Sequence, residues 1–189
     1  MLVPMNLSMP KSDLPGYVAR QLSNYFPDDT VTGDRLKRYV DLALERTEYC
    51  FAHITHKYYS KGGEPYFNHL HTDQYTTFLY FLGNSIHRLS GDEALATKAY
   101  ALNKALHAID VFYEVELPDI FFMEHPLGTV LGRASYSNYL CVYQRVNVGG
   151  NVDEVYPRLG EGVILHGGSA IIGDCTVGDN CWLSVGAVV

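Results

Sequence analysis

The chain has 189 residues, of which 47% are hydrophobic and 19% charged, so it can bury a core and is not an intrinsically disordered protein. Its formal net charge of -7 lacks the basic excess that a nucleic-acid-binding protein needs. No apolar run is long enough to span a membrane, and residues 1–12 do not resemble a signal peptide. We therefore expect a cytoplasmic protein.

The first half of the chain predicts an α-helical domain that extends from residue 1 to residue 109. Its helical segments are Leu14 to Asn24, a segment capped by Thr32 or Asp34 that runs towards His56, Asp73 to Leu89, and Glu93 to Ile109. The third segment is rich in Tyr and Phe and too apolar all round to face water. We expect it to be buried against neighbours or another subunit, with Phe78 to Leu82 as a candidate surface between subunits.

Neither a disulfide framework nor a metal site is predicted. The cysteines contain no CxxC pair and are expected to be reduced thiols. They are Cys50, Cys141, Cys175 and Cys181. His69 and His71 lie two positions apart, but no cysteine or acidic residue stands at the spacing of a zinc site.

Residues 110–189 predict stacked coils of short strands, because aliphatic side chains recur every six residues. The aliphatic positions are Leu159, Leu165, Ile171, Val177, Leu183 and Val189. Four positions after each comes a small or slender side chain, and this second series is Val163, Ser169, Cys175, Cys181 and Ala187. An earlier stretch keeps both spacings, with Val130, Tyr136, Val142 and Val148 in the first series and Ala134, Leu140 and Val146 in the second. A period of six fits neither an α-helix nor a simple strand, but it fits a parallel β-helix of hexapeptide repeats.

Because the chain stops on the first residue of a new repeat, we expect the carboxy-terminal end of this domain to be incomplete.

Two short motifs carry a resemblance to a known family. They are Glu124-His125-Pro126-Leu127-Gly128 and Asn147-Val148-Gly149-Gly150, and Asp110 stands fifteen residues before His125. This pattern resembles the serine acetyltransferase family of hexapeptide acyltransferases, whose matching elements read Asp-His-Ala-Thr-Gly and Thr-Leu-Gly-Gly. The resemblance implies an amino-terminal α-helical domain followed by a left-handed β-helix, assembled as a homotrimer or as a hexamer built from two trimers. It also implies an O-acetyltransferase that makes O-acetylserine from L-serine and acetyl-CoA in cysteine biosynthesis.

The resemblance assigns the chemistry to residues near this first motif. Histidine titrates near neutral pH, so His125 is suited to remove the proton of an attacking hydroxyl. Asp110 would orient the ring and stabilise its protonated form, with Asp119 as the alternative partner. Glu124 matches the family's aspartate that holds the ammonium group of the acceptor. By resemblance, the acceptor attacks acetyl-CoA directly and no acyl-enzyme forms.

The second half of the family's acceptor site differs in this sequence. The family's Arg-His-Pro, whose cation receives the serine carboxylate, is replaced by Val155, Tyr156 and Pro157. Valine cannot replace a bidentate cation, so either Arg158 or Arg145 supplies the charge or the acceptor is not a free amino acid. In addition to Glu124, the candidate acceptor-binding residues are Tyr156 and Arg158. Two alternatives remain open, an O-acetyltransferase that acts on a sugar or polysaccharide precursor and a non-catalytic β-helix scaffold.

The family binds coenzyme A along the outside of the coil, between neighbouring subunits. The positions here that match those contacts are Gly150, Gly168, Ser169, Gly186 and Ala187. Glycine and alanine suit this role because they let a narrow ligand approach the backbone closely. Acetyl-CoA is thus the expected co-substrate.

Overall fold

The computed structural model describes residues 4–189, which divide into two compact units, one ending at Leu106 and one running from His107 to Val189. The first unit contains β1 (Asn6–Leu7), α1 (Leu14–Tyr25), α2 (Gly33–Phe51), β2 (Ser60–Lys61), β3 (Glu64–Phe67), α3 (Thr72–Ser90) and all but the last residue of α4 (Glu93–His107). β1 and β2 flank β3, with β1 parallel to it and β2 antiparallel. Within the described range, no helix is long and apolar enough to cross a membrane.

The helix boundaries follow local chemistry. Of the two predicted caps for α2, Thr32 is used, because its side chain accepts a hydrogen bond from the Arg35 N–H at 3.3 Å. α2 ends at Phe51, before the predicted end at His56, and α4 ends at His107, before Ile109. After α2 the chain turns into the β2–β3 hairpin, whose paired glycines Gly62 and Gly63 both have positive φ.

The aromatic helix α3 forms the core of the first unit. Every residue from Asp73 to Ile86 is buried, as expected for a helix that is apolar all round. The ring of Phe78 stacks on Tyr75 at 5.7 Å and tilts against Phe67 at 5.4 Å. The prediction that the segment from Phe78 to Leu82 forms a surface between subunits was wrong, because its side chains are at most 3% exposed within one chain.

The second unit is a left-handed parallel β-helix of about three turns, as predicted. The strands of its first sheet are β4 (Phe121–Met123), β6 (Leu140–Val142), β9 (Ile164–Leu165) and β12 (Trp182–Leu183). Those of the second sheet are β5 (Val130–Leu131), β7 (Asn147–Gly149) and β10 (Ala170–Ile172). The third sheet contains β8 (Arg158–Leu159) and β11 (Thr176–Val177). Each turn of the chain, which we call a rung, passes through the first, second and third sheets in that order.

The six-residue repeat places one aliphatic side chain of each strand inside the coil. On the first sheet the inward side chains are vertically aligned, with Val142 paired to Met123 and to Leu165, and Leu165 to Leu183. Each of these side chains is at most 8% exposed. The aligned side chains bury one another from rung to rung, which is what makes a coil of such short strands stable.

The early part of the repeat differs from the prediction by one residue. Val130 is 40% exposed, and Leu131 beside it is the inward residue at 1%. The cause is the first-rung turn: eight residues separate the inward Met123 from Leu131, whereas six separate Val142 from Val148 and Leu165 from Ile171. Two additional residues therefore lie in the turn that contains His125.

We predict that two adjacent isoleucines have very different effects on stability. Ile171 is fully buried, whereas Ile172 is 37% exposed on the outside of the same strand. Ile171→Ala should reduce the free energy of unfolding by about 2–5 kcal/mol, and Ile172→Ala by much less, because only the first leaves a cavity. Chemical denaturation of both variants measures this, and equal losses would contradict the assignment of inward and outward faces.

Candidate functional site

The turns that join the first sheet to the second form one edge of the coil. They comprise residues 124–129, 143–146, 166–169 and 184–187, one turn on each of four rungs, and we call them the His125 edge. Backbone hydrogen bonds hold the turns one above another. The Arg145 N–H donates to Leu127 O at 2.9 Å, Gly168 N–H to Gln144 O at 2.9 Å, and Gly186 N–H to Gly167 O at 3.2 Å.

His125 is exposed on the first rung of this edge and has a left-handed backbone, with φ +49°. Such a conformation costs about 1–2 kcal/mol in a residue other than glycine, so the surrounding turn must hold it. The His125 carbonyl accepts a hydrogen bond from the Leu127 N–H at 2.7 Å, and the next residue, Pro126, is buried. The turn therefore presents the imidazole on the outside of the coil at a fixed backbone position.

Asp110 lies beside the end of this turn. Its N–H donates to Thr129 O, and its carbonyl accepts from the Leu131 N–H, both at 2.9 Å. Asp119, by contrast, precedes β4 and is exposed at the far end of the first sheet. Since β4 spans roughly 10 Å at 3.3 Å per residue, Asp110 is better placed than Asp119 to reach the His125 turn.

Glu124 belongs to a cluster with Tyr143 and Cys141 on the next rung. The Tyr143 hydroxyl donates a hydrogen bond to the Glu124 carboxylate, and burial, Cys141 and this carboxylate together raise the pKa of Tyr143 to about 12. Burial also raises the pKa of the Cys141 thiol to about 12, with a further contribution from Glu124. The Glu124 carboxylate is therefore held by a neutral hydroxyl beside His125.

Sequence reasoning missed an outward column of rings where the first sheet meets the His125 edge. Tyr143 stacks on His166 at 5.2 Å between ring centroids, with 20° between the planes. The Trp182 ring meets His166 edge-on at 6.3 Å. The sequence contained a signal for this column, because equivalent positions on successive rungs carry Glu124, Tyr143 and His166. Each of them directly follows an inward-facing side chain.

The His125 edge also carries four of the five residues predicted to bind coenzyme A. Gly168 and Gly186 have positive φ, +75° and +71°, and lie at turn positions on the third and fourth rungs. Ser169 is 1% exposed, and its backbone N–H and carbonyl bond to His166 O and Asn147 N–H within the coil. Ala187 is bound in the same way, to Ser184 O and to Ala170 N–H. Of the four, the two glycines present the more accessible backbone.

The remaining predicted residues lie elsewhere on the coil. The Tyr156 ring covers Gly150 so closely that a Cβ added to the glycine would lie 2.7 Å from it. The Tyr156 hydroxyl also hydrogen-bonds Arg133 and, with Glu114, raises the pKa of that guanidinium. Gly150 and Tyr156 thus belong to the turn between the second and third sheets, away from His125.

Arg158 and Arg145 occupy different sides of the coil. Arg158 belongs to the third sheet, opposite the His125 edge in a three-sided coil, and its Nη2 lies 3.5 Å from Asp174 Oδ1. Arg145 lies on the His125 edge itself, and its Nη2 is 3.9 Å from the position of a Cβ added to Gly168. Within one chain, Arg145 is the arginine on the same edge as His125.

Within residues 4–189, no three histidine, cysteine or acidic side chains are grouped so that they could hold a metal ion. Within the same residues, all four cysteines are present as thiols and not as disulfides.

Comparison with known proteins relates the chain to serine acetyltransferases. The curated serine acetyltransferase of Synechococcus elongatus is 27% identical over 92 residues, which are 47% of this chain and 38% of that protein. The crystal structure of serine acetyltransferase from Brucella abortus strain S19 superposes with a TM-score of 0.71 at 19% identity, covering 94% of this chain and 75% of that one. A structure of serine acetyltransferase in complex with coenzyme A from the same strain gives a TM-score of 0.69 at 18% identity, covering 95% and 74%.

No protein-family model matches the chain. The chain spans less than half the length of the curated relative. Its similarity to the solved structures shows that it shares their fold. The resemblance drawn from the two motifs is confirmed at this level: the chain is similar in sequence and in fold to serine acetyltransferases.

The raised pKa of Cys141 predicts a thiol that reacts slowly. Because the thiolate is the reactive form, and folding raises this pKa from 9.0 to about 12, Cys141 stays protonated in the folded protein at ordinary pH. At about pH 8, iodoacetamide should label Cys141 at least about a hundredfold more slowly in the folded chain than in urea. The folded-state rate should increase with rising pH. Mass spectrometry of the Cys141 peptide measures both rates, and equal rates would contradict a buried thiol beside Glu124.

Proposed function

We propose that this chain is an acetyl-CoA-dependent O-acetyltransferase of the serine acetyltransferase type, which makes O-acetylserine from L-serine for cysteine biosynthesis in the cytoplasm. The observation that carries the proposal is the His125 edge. It places an exposed imidazole, a neighbouring carboxylate and a line of turn glycines on successive rungs of one edge. A solved structure with the same fold is described as a complex with coenzyme A. This supports the proposal that coenzyme A binds along the His125 edge.

His125 acts as the general base in this reaction. Its imidazole takes the proton of the acceptor hydroxyl while the hydroxyl oxygen attacks the thioester carbonyl. The C–S bond of the resulting tetrahedral intermediate then breaks, and the departing thiolate of coenzyme A takes the proton from the imidazolium. Asp110 is the positioning residue, which orients the ring and stabilises its charged form.

Glu124 and Arg145 would bind the two charges of an amino-acid acceptor. Glu124 offers a carboxylate to the ammonium group, and Arg145 offers a planar cation to the carboxylate. The two residues stand on adjacent rungs, which are about 4.8 Å apart. Arg145 would thus replace the cation that the family places in its Arg-His-Pro loop.

A sugar or polysaccharide precursor is the second candidate acceptor. It is favoured because two residues predicted to bind the acceptor, Tyr156 and Arg158, already have other partners. Tyr156 is engaged with Arg133 and Gly150, and Arg158 with Asp174. A hydroxyl acceptor without a carboxylate needs neither residue. Thiol release from acetyl-CoA that a sugar accelerates, and L-serine does not, would establish this alternative. A chain that releases no thiol with any acceptor would instead fit the scaffold interpretation.

The assembly belongs to the same proposal. Gly150, Tyr156 and Arg158 lie away from the His125 edge within one chain. In a homotrimer or a dimer of trimers, these residues can approach the His125 edge of a neighbouring chain. Acceptor and acetyl-CoA would then meet at a seam between subunits.

We expect His125→Ala to lose activity by a factor of about a hundred to ten thousand, because the general base is removed. Coenzyme A should still bind, since no binding contact is assigned to the ring. Acetyl transfer measured by thiol release and binding measured by calorimetry test the two expectations. His53→Ala is the matched control, because His53 is an exposed histidine of the first unit. A fully active His125→Ala enzyme would exclude His125 as the base.

We expect Arg145→Ala to raise the KM for L-serine roughly 10- to 100-fold with little change in kcat, because a charged hydrogen bond to the acceptor is lost. Arg158→Ala should change the KM much less, and Arg38→Ala, at an exposed site on α2, is the control for loss of a surface charge. Steady-state kinetics at varied serine concentrations measure all three variants. A larger effect of Arg158→Ala would assign the acceptor cation to Arg158.

A further inference from the structure

Three outward-facing rings follow one another from rung to rung, where the first sheet meets the His125 edge. Tyr143 lies on the second rung, His166 on the third and Trp182 on the fourth, and each ring contacts the next. We call these three residues the ring column. Trp182 is 69% exposed, and it is the sole tryptophan of the chain.

The column spans a distance that few small molecules can cover. Glu124, which bonds Tyr143, stands on the first rung, and the strands follow in the order β4–β6–β9–β12 up to Trp182. Three steps between adjacent strands amount to about 14 Å. A ligand that reacts at His125 and also touches Trp182 must therefore be long.

The fourth rung leaves room beside the indole. Ser184 takes the position that Tyr143 and His166 hold on the lower rungs, so the next side chain along the column is small. Gly186 follows on the same turn, and a Cβ added there would meet no atom within 4 Å. Among the described residues, the neighbours of the indole on this rung are therefore small.

Within residues 107–189 of one chain, no cationic side chain lies at this end of the column. Residues 107–189 contain three arginines and no lysine. Arg133 pairs with Glu114, Arg158 pairs with Asp174, and Arg145 extends only as far as Gly168 on the third rung. On the fourth rung, the exposed face of Trp182 offers a ligand an aromatic surface beside the backbone of Gly186.

We propose that Trp182, supported by the edge of His166, stacks against the adenine base of coenzyme A. The inference rests on the proposed function. Coenzyme A carries a thioester at one end and a flat base at the other, joined by a long narrow arm. With the thioester at His125 and the arm over Gly168, the base arrives at the fourth rung. Stacking on an aromatic face binds a base through its π-surface and needs no cation. A free amino acid or a single sugar is too short to reach both ends.

The single tryptophan makes the test direct. Coenzyme A, dephospho-coenzyme A and pantetheine are titrated into the full chain, with Trp182 fluorescence and calorimetry recorded in parallel. The first two carry adenine and are expected to quench the fluorescence, and pantetheine lacks adenine and is expected not to quench it. By calorimetry, Trp182→Ala should weaken the binding of coenzyme A about tenfold and leave that of pantetheine unchanged.

Two further variants separate stacking from a structural effect. Trp182→Phe keeps an aromatic face and should recover most of the affinity. Ile172→Ala removes an outward apolar side chain from the second sheet and should leave the affinity as it is. Equal weakening of pantetheine and coenzyme A in Trp182→Ala would overturn the proposal, because the indole would then not act through the base.

The remaining outcomes distinguish the two proposals. Unchanged coenzyme A affinity in Trp182→Ala, without quenching in the wild-type chain, overturns the stacking inference and leaves the acetyltransferase proposal standing. Quenching by an oligosaccharide but not by coenzyme A also overturns the inference, and it assigns the column to the acceptor. A wild-type chain that binds neither coenzyme A nor acetyl-CoA overturns the proposed function itself.

Discussion

The vertical alignment of inward aliphatic side chains is the constraint on which the second unit depends. Met123, Val142, Leu165 and Leu183 occupy equivalent positions on four rungs, and each is buried mainly by the rung above or below it. A shift of one residue in any rung would turn its whole inward set to the outside. Burial therefore fixes the register, and the register fixes which outward residues are neighbours.

The candidate site lies where the repeat is interrupted. The turn with His125 is two residues longer than the turns above it, and it holds a histidine in a left-handed conformation. The regular rungs that follow it supply a rigid frame on one side. Asp110 reaches the turn through backbone pairing with Thr129 and Leu131, so its position is also set by the ladder of the second sheet. The interruption forms the turn that carries His125, and the regular coil holds this turn in place.

The outer surface divides the predicted site residues between two sides of the coil. Arg145, Gly168 and Gly186 share the edge with His125, whereas Tyr156 and Arg158 belong to the turn and sheet that follow. A single chain thus carries the predicted site residues on surfaces that do not face each other. Sequence motifs name such residues together, but spacing along the chain does not show which surface each one faces.

The sequence by itself determined the β-helix and its repeat of six, because these depend on local spacing and on which side chains avoid water. It also determined the four helices, whose apolar periodicity is local. Only the tertiary structure decided that Leu131 and not Val130 faces inward, and that Phe78 to Leu82 is core and not interface. It alone also brought Glu124, Tyr143 and Cys141 together. These outcomes depend on contacts between rungs or helices, and the length of a single turn changes such contacts without changing the composition of the sequence.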